Sequence, residues 1–190
     1  MEKEENAIIL EYLPNGYPLE RKMMPVAQSI GEKTLVLLEL VPRRGVELKI
    51  GEKVYIGEGK RDKIYYILGR LHREKLTESA KEQLGEFIKQ IVKEKEKEFV
   101  EFFNKSDAIN KRIHQIEMIP GLGKKHMQEI LKQRREKEFE SFQDMKKRIQ
   151  NLPDPEKAIE KRIFQELTNI ERYNLFTKGQ ALKNLGPVGL

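Results

Sequence analysis

The apolar positions change rhythm near Thr77. Before it they fall in short clusters. Ala7–Leu13, Thr34–Val41, Glu52–Ile56 and Lys63–Leu71 are rich in Ile, Val, Leu and Tyr, and turn formers separate them. Val46–Ile50 alternates apolar and polar residues, the period of a half-buried strand. Five short strands in about 65 residues, with no helical spacing between them, predict a small closed or nearly closed β-barrel. Its expected core is Ile8, Leu10, Leu35, Leu37, Val54, Ile56, Ile64 and Ile67.

From Thr77 the spacing becomes three and four: Leu84, Phe87, Ile88, Ile91, Val92, Phe99, Phe102 and Phe103, with Lys and Glu between them. This predicts one amphipathic helix of roughly 25 residues, about 38 Å long, linking the barrel to a helical half. Shorter helices follow. One is expected from Ser106-Asp107, carrying Ile109, Ile113 and Ile116, and the next from Lys124, carrying Met127, Ile130 and Leu131. Ser141 through Asp144 has capping-box spacing, and Asp154-Pro155-Glu156 is a strong start signal for a last helix. After about Asn174 the periodicity fades into a tail, for which Phe176 and Leu182 are candidate anchors. The fold class is thus α+β and multidomain. Residues 1–76 form the barrel, 77–105 the linking helix, 106–173 an all-helical domain and 174–190 the tail.

Composition narrows the chemistry. The 190 residues include no Cys, which removes thiolate metal sites, disulfides and cysteine nucleophiles. No apolar run approaches the roughly 18–20 residues that cross a bilayer, and the acidic start MEKEENAIIL does not read as a signal peptide. A cytoplasmic protein without a membrane partner is expected. The net charge of +6 says little as a total. Its distribution says more: residues 106–150 hold 11 basic and 7 acidic groups, so most of the excess lies in one window.

That window contains Ile119-Pro120-Gly121-Leu122-Gly123-Lys124-Lys125. Gly121 and Gly123 permit a tight turn and leave its backbone N–H groups bare. The helix that starts at Lys124 presents unpaired N–H groups, which favour an anion. Lys124 and Lys125 can flank the same phosphate, and Leu122 is expected to point inward. Arg134 and Arg135 at the far end of that helix are further phosphate candidates, or complements to its dipole. In the barrel, Arg43, Arg44, Lys60, Arg61 and Lys63 lie in loops beside Tyr55, Tyr65 and Tyr66.

The IPGLGKK string resembles the helix-hairpin-helix motif: hydrophobic, Pro, Gly, hydrophobic, Gly, then basic residues. The next 45 residues resemble a second, degenerate copy: Phe139/Phe142, Asp144 and Arg148 match the link, and Leu152-Pro153-Asp154-Pro155 stands where the second hairpin belongs. With RGVELKIGEKVYIG and DMKKRIQNLPDP, nearly the whole chain is similar to an uncharacterised archaeal family of predicted RNA- or nucleic-acid-binding proteins. That family has an OB-fold-like N-terminal domain and a C-terminal helix-hairpin-helix domain. The resemblance implies a small OB-like barrel, a tandem hairpin domain, and binding rather than catalysis. It also implies that Tyr55, Tyr65 and Tyr66 are stacking platforms for bases, with Arg43, Arg44, Lys60, Arg61 and Lys63 beside them, the alternative being that the tyrosines are core.

No active site assembles from the sequence. His72, His114 and His126 lack metal-ligand spacing, the carboxylates are spread along Lys/Glu faces, and there is no Walker motif. The expectation is a non-enzymatic nucleic-acid binder without cofactor or metal. RNA is favoured over DNA, and a ribosomal or other protein is a further partner option. The alternatives are a DNA-binding accessory factor in repair or recombination, and a protein-interaction scaffold.

Overall fold

The computed structural model describes residues 4–177, except 19, 21 and 22. Two compact units divide the chain between Lys75 and Leu76, and residues 169–177 group with the first.

The first unit is a five-stranded antiparallel sheet: β1 (Asn6–Leu13), β2 (Val26–Gly31), β3 (Leu37–Pro42), β4 (Lys53–Tyr55) and β5 (Ile64–Arg70), in the order β4-β1-β2-β3-β5. The core holds Ile9, Leu38, Leu40, Leu48, Val54, Ile56 and Ile64, with Tyr12, Val46 and Ile67 packed against it. Of the expected core, Leu10, Leu35 and Leu37 are buried outside that cluster, and Ile8 is half-buried.

Three features of this unit differ from the sequence reading. First, β2 has no hydrophobic rhythm because Gln28 and Ser29 interrupt it, yet all six residues are buried. Partners make that burial tolerable. Gln28 Nε2 donates to the Lys75 carbonyl at 2.7 Å, and the Ser29 hydroxyl donates to the Leu38 carbonyl at 3.1 Å. Second, Val46–Ile50 is not a strand. Leu48 is buried, but Ile50 is half exposed and the left-handed Gly51 (φ +77°) turns the chain directly into β4. Third, β4 and β5 are unpaired edges with no ladder between them among the described residues, so the sheet curls without closing.

The second unit is helical. α1 (Glu78–Glu94) begins at Thr77, whose hydroxyl accepts the Ala80 N–H at 3.1 Å, and packs on α5 (Pro155–Thr168). The single long helix expected here is broken at Lys95 (φ −107°, ψ 28°), and α2 (Glu96–Lys105) starts at once. The break allows Glu96 to accept the Phe142 N–H at 2.8 Å, at the start of α4 (Phe142–Arg148). Asn104 bonds Phe139 in both directions, at 2.8 and 2.9 Å. These bonds fasten α2 to the segment that follows α3 (Lys124–Glu136).

The helix expected from Ser106 does not form. β6 (Ala108–Asn110), β7 (Ile113–His114) and a single 3-10 turn over Gln115–Met118 replace it. Short polar side chains take the backbone donors that a helix would need. Asp107 accepts the Ala108 N–H at 2.7 Å, and Asn110 accepts those of Arg112 and Ile113 at 2.8 and 3.1 Å. His114 then caps the 3-10 turn, its Nδ1 accepting the Ile116 N–H at 3.1 Å. Residues 178–190, with Leu182, lie outside the described residues; Phe176 is half-buried.

Candidate nucleic-acid interface

The Ile119–Gly123 segment is a tight turn. Leu122 N–H donates to the Ile119 carbonyl at 3.0 Å, and Pro120 and Gly121 occupy the central positions. Gly121 has φ +86°, and Pro followed by a left-handed Gly is the type II signature. Ile119 and Leu122 are buried and anchor the turn. Gly123 is then the N-cap of α3 and, lacking a side chain, leaves the first helical N–H groups without a side-chain partner.

Gly123 need not be glycine for the fold. Its φ is −91°, open to any residue, and a Cβ built on it meets nothing within 4 Å. Lys124 and Lys125 follow it, exposed and with no side-chain ion pair or hydrogen bond among the described residues. Bare N–H groups, open space and two ammonium groups together suit a phosphate.

Residues 149–154 repeat the turn. Ile149, Asn151 and Leu152 follow Ile119, Gly121 and Leu122 at a constant offset, and Asn151 takes the left-handed conformation (φ +58°) that Gly121 takes in the first copy. Asn is among the few non-glycine residues that tolerate it. The two turns touch: a Cβ on Gly121 would meet Pro153 at 3.7 Å. Their ends differ. The Asp154 carboxylate accepts the Glu156 N–H at 3.1 Å and pairs with Lys146 at 3.4 Å, so the first donors of α5 are already engaged.

The two arginines at the far end of α3 part company. Arg134 is half-buried, and its Nη1 donates to the carbonyls of Phe103 and Ser106 at 2.9 and 2.8 Å. It therefore complements the C-terminus of α2. Arg135 is exposed. Arg134 also acts on His114: burial first, then the Arg134 charge, hold the imidazole below its ordinary pKa.

In the sheet unit, Arg43 Nε donates to the Arg61 carbonyl at 2.7 Å, and Arg61 Nε to the Gly57 carbonyl at 2.8 Å. Lys63 is paired with Glu52, and this bond holds the Glu52 carboxyl below its usual range. Arg44 and Lys60 are exposed, with no partner for either side chain among the described residues. Tyr55 and Tyr65 are exposed and Tyr66 is half-buried.

Residues 3–178 match the model of a family described as protein of unknown function (DUF655). The chain belongs to this family. An uncharacterized protein of Methanocaldococcus jannaschii is 41% identical over 177 residues, which is 92% of this chain and 80% of that one. The crystal structure of Af1531 from Archaeoglobus fulgidus, also assigned to DUF655, aligns at a TM-score of 0.79 and 41% identity, covering 92% of this chain and 99% of that one. Both DUF655 relatives are archaeal. Among the described residues, no cluster of three or more His, Asp or Glu could hold a metal ion, and no helix is long and apolar enough to cross a membrane.

The turn that carries the left-handed Asn151 begins at Ile149, three residues before the Leu152-Pro153-Asp154-Pro155 string of the sequence reading. The recurrence of Ile-x-Asn-Leu thirty residues after Ile-x-Gly-Leu was the available signal.

Proposed function

We propose that this DUF655 protein is a non-catalytic nucleic-acid-binding protein, with RNA as the favoured polymer, and that residues 119–125 grip the phosphate backbone. The observation that carries this reading is Gly123. Neither its backbone angles nor its surroundings call for a missing side chain, whereas an anion on the N-terminus of α3 does. The paired turns support a tandem helix-hairpin-helix unit in which the first copy binds and the second, closed by Asp154, supports it. The first copy departs from that motif in having one 3-10 turn as its leading helix. The curled five-stranded sheet is compatible with an OB-like domain, and Arg43, Arg44, Lys60 and Arg61 give it a second contact surface.

The test is a comparison of structured RNA, single-stranded RNA and duplex DNA across a salt series. Backbone binding makes log affinity fall linearly with log salt, with a slope of roughly −0.9 per phosphate on duplex DNA and −0.7 on single strands. Lys124→Glu with Lys125→Glu is expected to remove most of the binding. Unchanged affinity in that double variant refutes the hairpin as the grip. Tighter binding to duplex DNA than to either RNA moves the reading to a DNA accessory factor.

A further inference from the structure

β5 carries two interruptions in its ladder with β3. Val41 pairs with Tyr66 and Pro42 with Ile64, so Tyr65 has no partner; Leu40 pairs with Ile67 and Glu39 with Gly69, so Leu68 has none. These two residues are the bulge positions, and they are the exposed hydrophobics of the strand, at 65% and 44%. A bulge re-aims the side chain it carries. Tyr66, next in sequence, stays half-buried and braces Tyr65 edge-on, with ring centroids 5.4 Å apart at 72°. The Tyr66 hydroxyl in turn lies 3.5 Å from the Met24 sulfur.

Tyr65 borders a hollow of about 630 Å³ in the sheet unit. Tyr12, Met24 and Val41 supply apolar lining, and Arg43 and Arg44 line it as well, both exposed. Arg43 is oriented by its Nε bond to the Arg61 carbonyl. An exposed, braced aromatic ring that borders a hollow lined by apolar side chains and two arginines, with Glu47 its acidic lining residue, matches one polymer chemistry well. A flat heterocycle gains by stacking and filling the hollow, and the phosphate joined to it meets the arginines.

We infer that this hollow is a subsite for one unpaired base of single-stranded RNA, with Tyr65 as the stacking platform and Arg43 and Arg44 as the contacts to its phosphate. The inference rests on the nucleic-acid reading above and sharpens it: duplex lacks a free base, so the target must offer a loop, bulge or end.

The protein contains no Trp, so Tyr65→Trp installs a single indole reporter at the platform. Titration with a short oligouridylate is expected to quench that fluorescence in parallel with binding measured by anisotropy. An abasic oligomer of equal length and a blunt duplex are expected to leave the fluorescence unquenched even where they bind. Tyr65→Ala should weaken oligouridylate binding about tenfold, while Tyr65→Phe retains it. Full-strength binding by Tyr65→Ala, or an unquenched Tyr65→Trp with oligouridylate bound, overturns the subsite and leaves the hairpin reading standing. Absence of binding to every nucleic acid at low salt overturns both.

Discussion

The contrast between the two turns can be turned into a single substitution. Gly123→Asp gives α3 the cap that Asp154 already gives α5. Gly123 has extended backbone angles, φ −91° and ψ −173°, as an N-cap requires, and nothing lies within 4 Å of the new Cβ. The stability change has three parts. A capping carboxylate is worth a few tenths of a kcal/mol over Gly. Its charge at the helix N-terminus adds about 0.3–1 kcal/mol. Loss of glycine's freedom in the unfolded chain adds about 0.4–1 kcal/mol. The sum is about 1–2 kcal/mol, and at about 2–4 °C per kcal/mol for a chain of this length the melting temperature should rise by several degrees.

The same carboxylate opposes a phosphate. At about 4 Å the repulsion is about 1 kcal/mol in water and about 4 kcal/mol at an effective dielectric of ~20. The site is exposed, so an intermediate value applies and RNA affinity should fall at least about tenfold. Circular-dichroism melts and anisotropy titrations at fixed salt measure the two quantities on the same preparation. A variant that is more stable yet binds RNA with unchanged affinity refutes the anion site on α3. One that loses stability refutes the capping argument.

Three further sets of outcomes are expected. Arg134→Ala should cost about 2–3 kcal/mol by removing a charged donor from the Phe103 and Ser106 carbonyls. Arg135→Ala should change stability by less than about 0.5 kcal/mol and flatten the salt slope if that residue touches a phosphate. Denaturation curves paired with the salt series separate the two. His114, buried and accepting the Ile116 N–H, has a folded pKa below its unfolded value near 6.5. Its contribution to stability is therefore complete above about pH 6.5 and is lost as pH falls through the folded pKa. His114→Asn, which keeps an acceptor but does not titrate, should show a smaller fall in melting temperature between pH 8 and pH 5. Gly121→Ala should cost about 1–2 kcal/mol through its left-handed φ alone, because the new Cβ meets Pro153 at an ordinary contact distance. Asn151→Gly should stay within about 0.5 kcal/mol, and chemical denaturation resolves the difference.

Local signals in the sequence were reliable where one residue type has one job. Ser141, the Asp154-Pro155 pair and Ile119–Gly123 all stand where such residues stop or start helices. Long-range pairing was less legible. β2 is sustained by partners distant in sequence, such as the Lys75 carbonyl for Gln28, and no window of residues around it carries that information. The helix expected over 106–118 failed because Asp107 and Asn110 satisfy backbone donors locally, a competition that apolar spacing does not register. Charge was legible as a count but not as a resource. Within 106–150, Arg134 and Arg148 are bound to backbone carbonyls, and Lys146 is paired with Asp154. Lys124, Lys125 and Arg135 remain exposed without such pairing among the described residues.

The bulges at Tyr65 and Leu68 also bear on how the open sheet keeps to itself. A flat strand with a free edge is a template onto which another chain can add its own strand. β4 is three residues long and offers little such template, whereas β5 has seven. Two interruptions within those seven residues twist the edge and break its regular run of donors and acceptors. The irregularity that turns a tyrosine outward thus also guards the unclosed seam against strand exchange and aggregation.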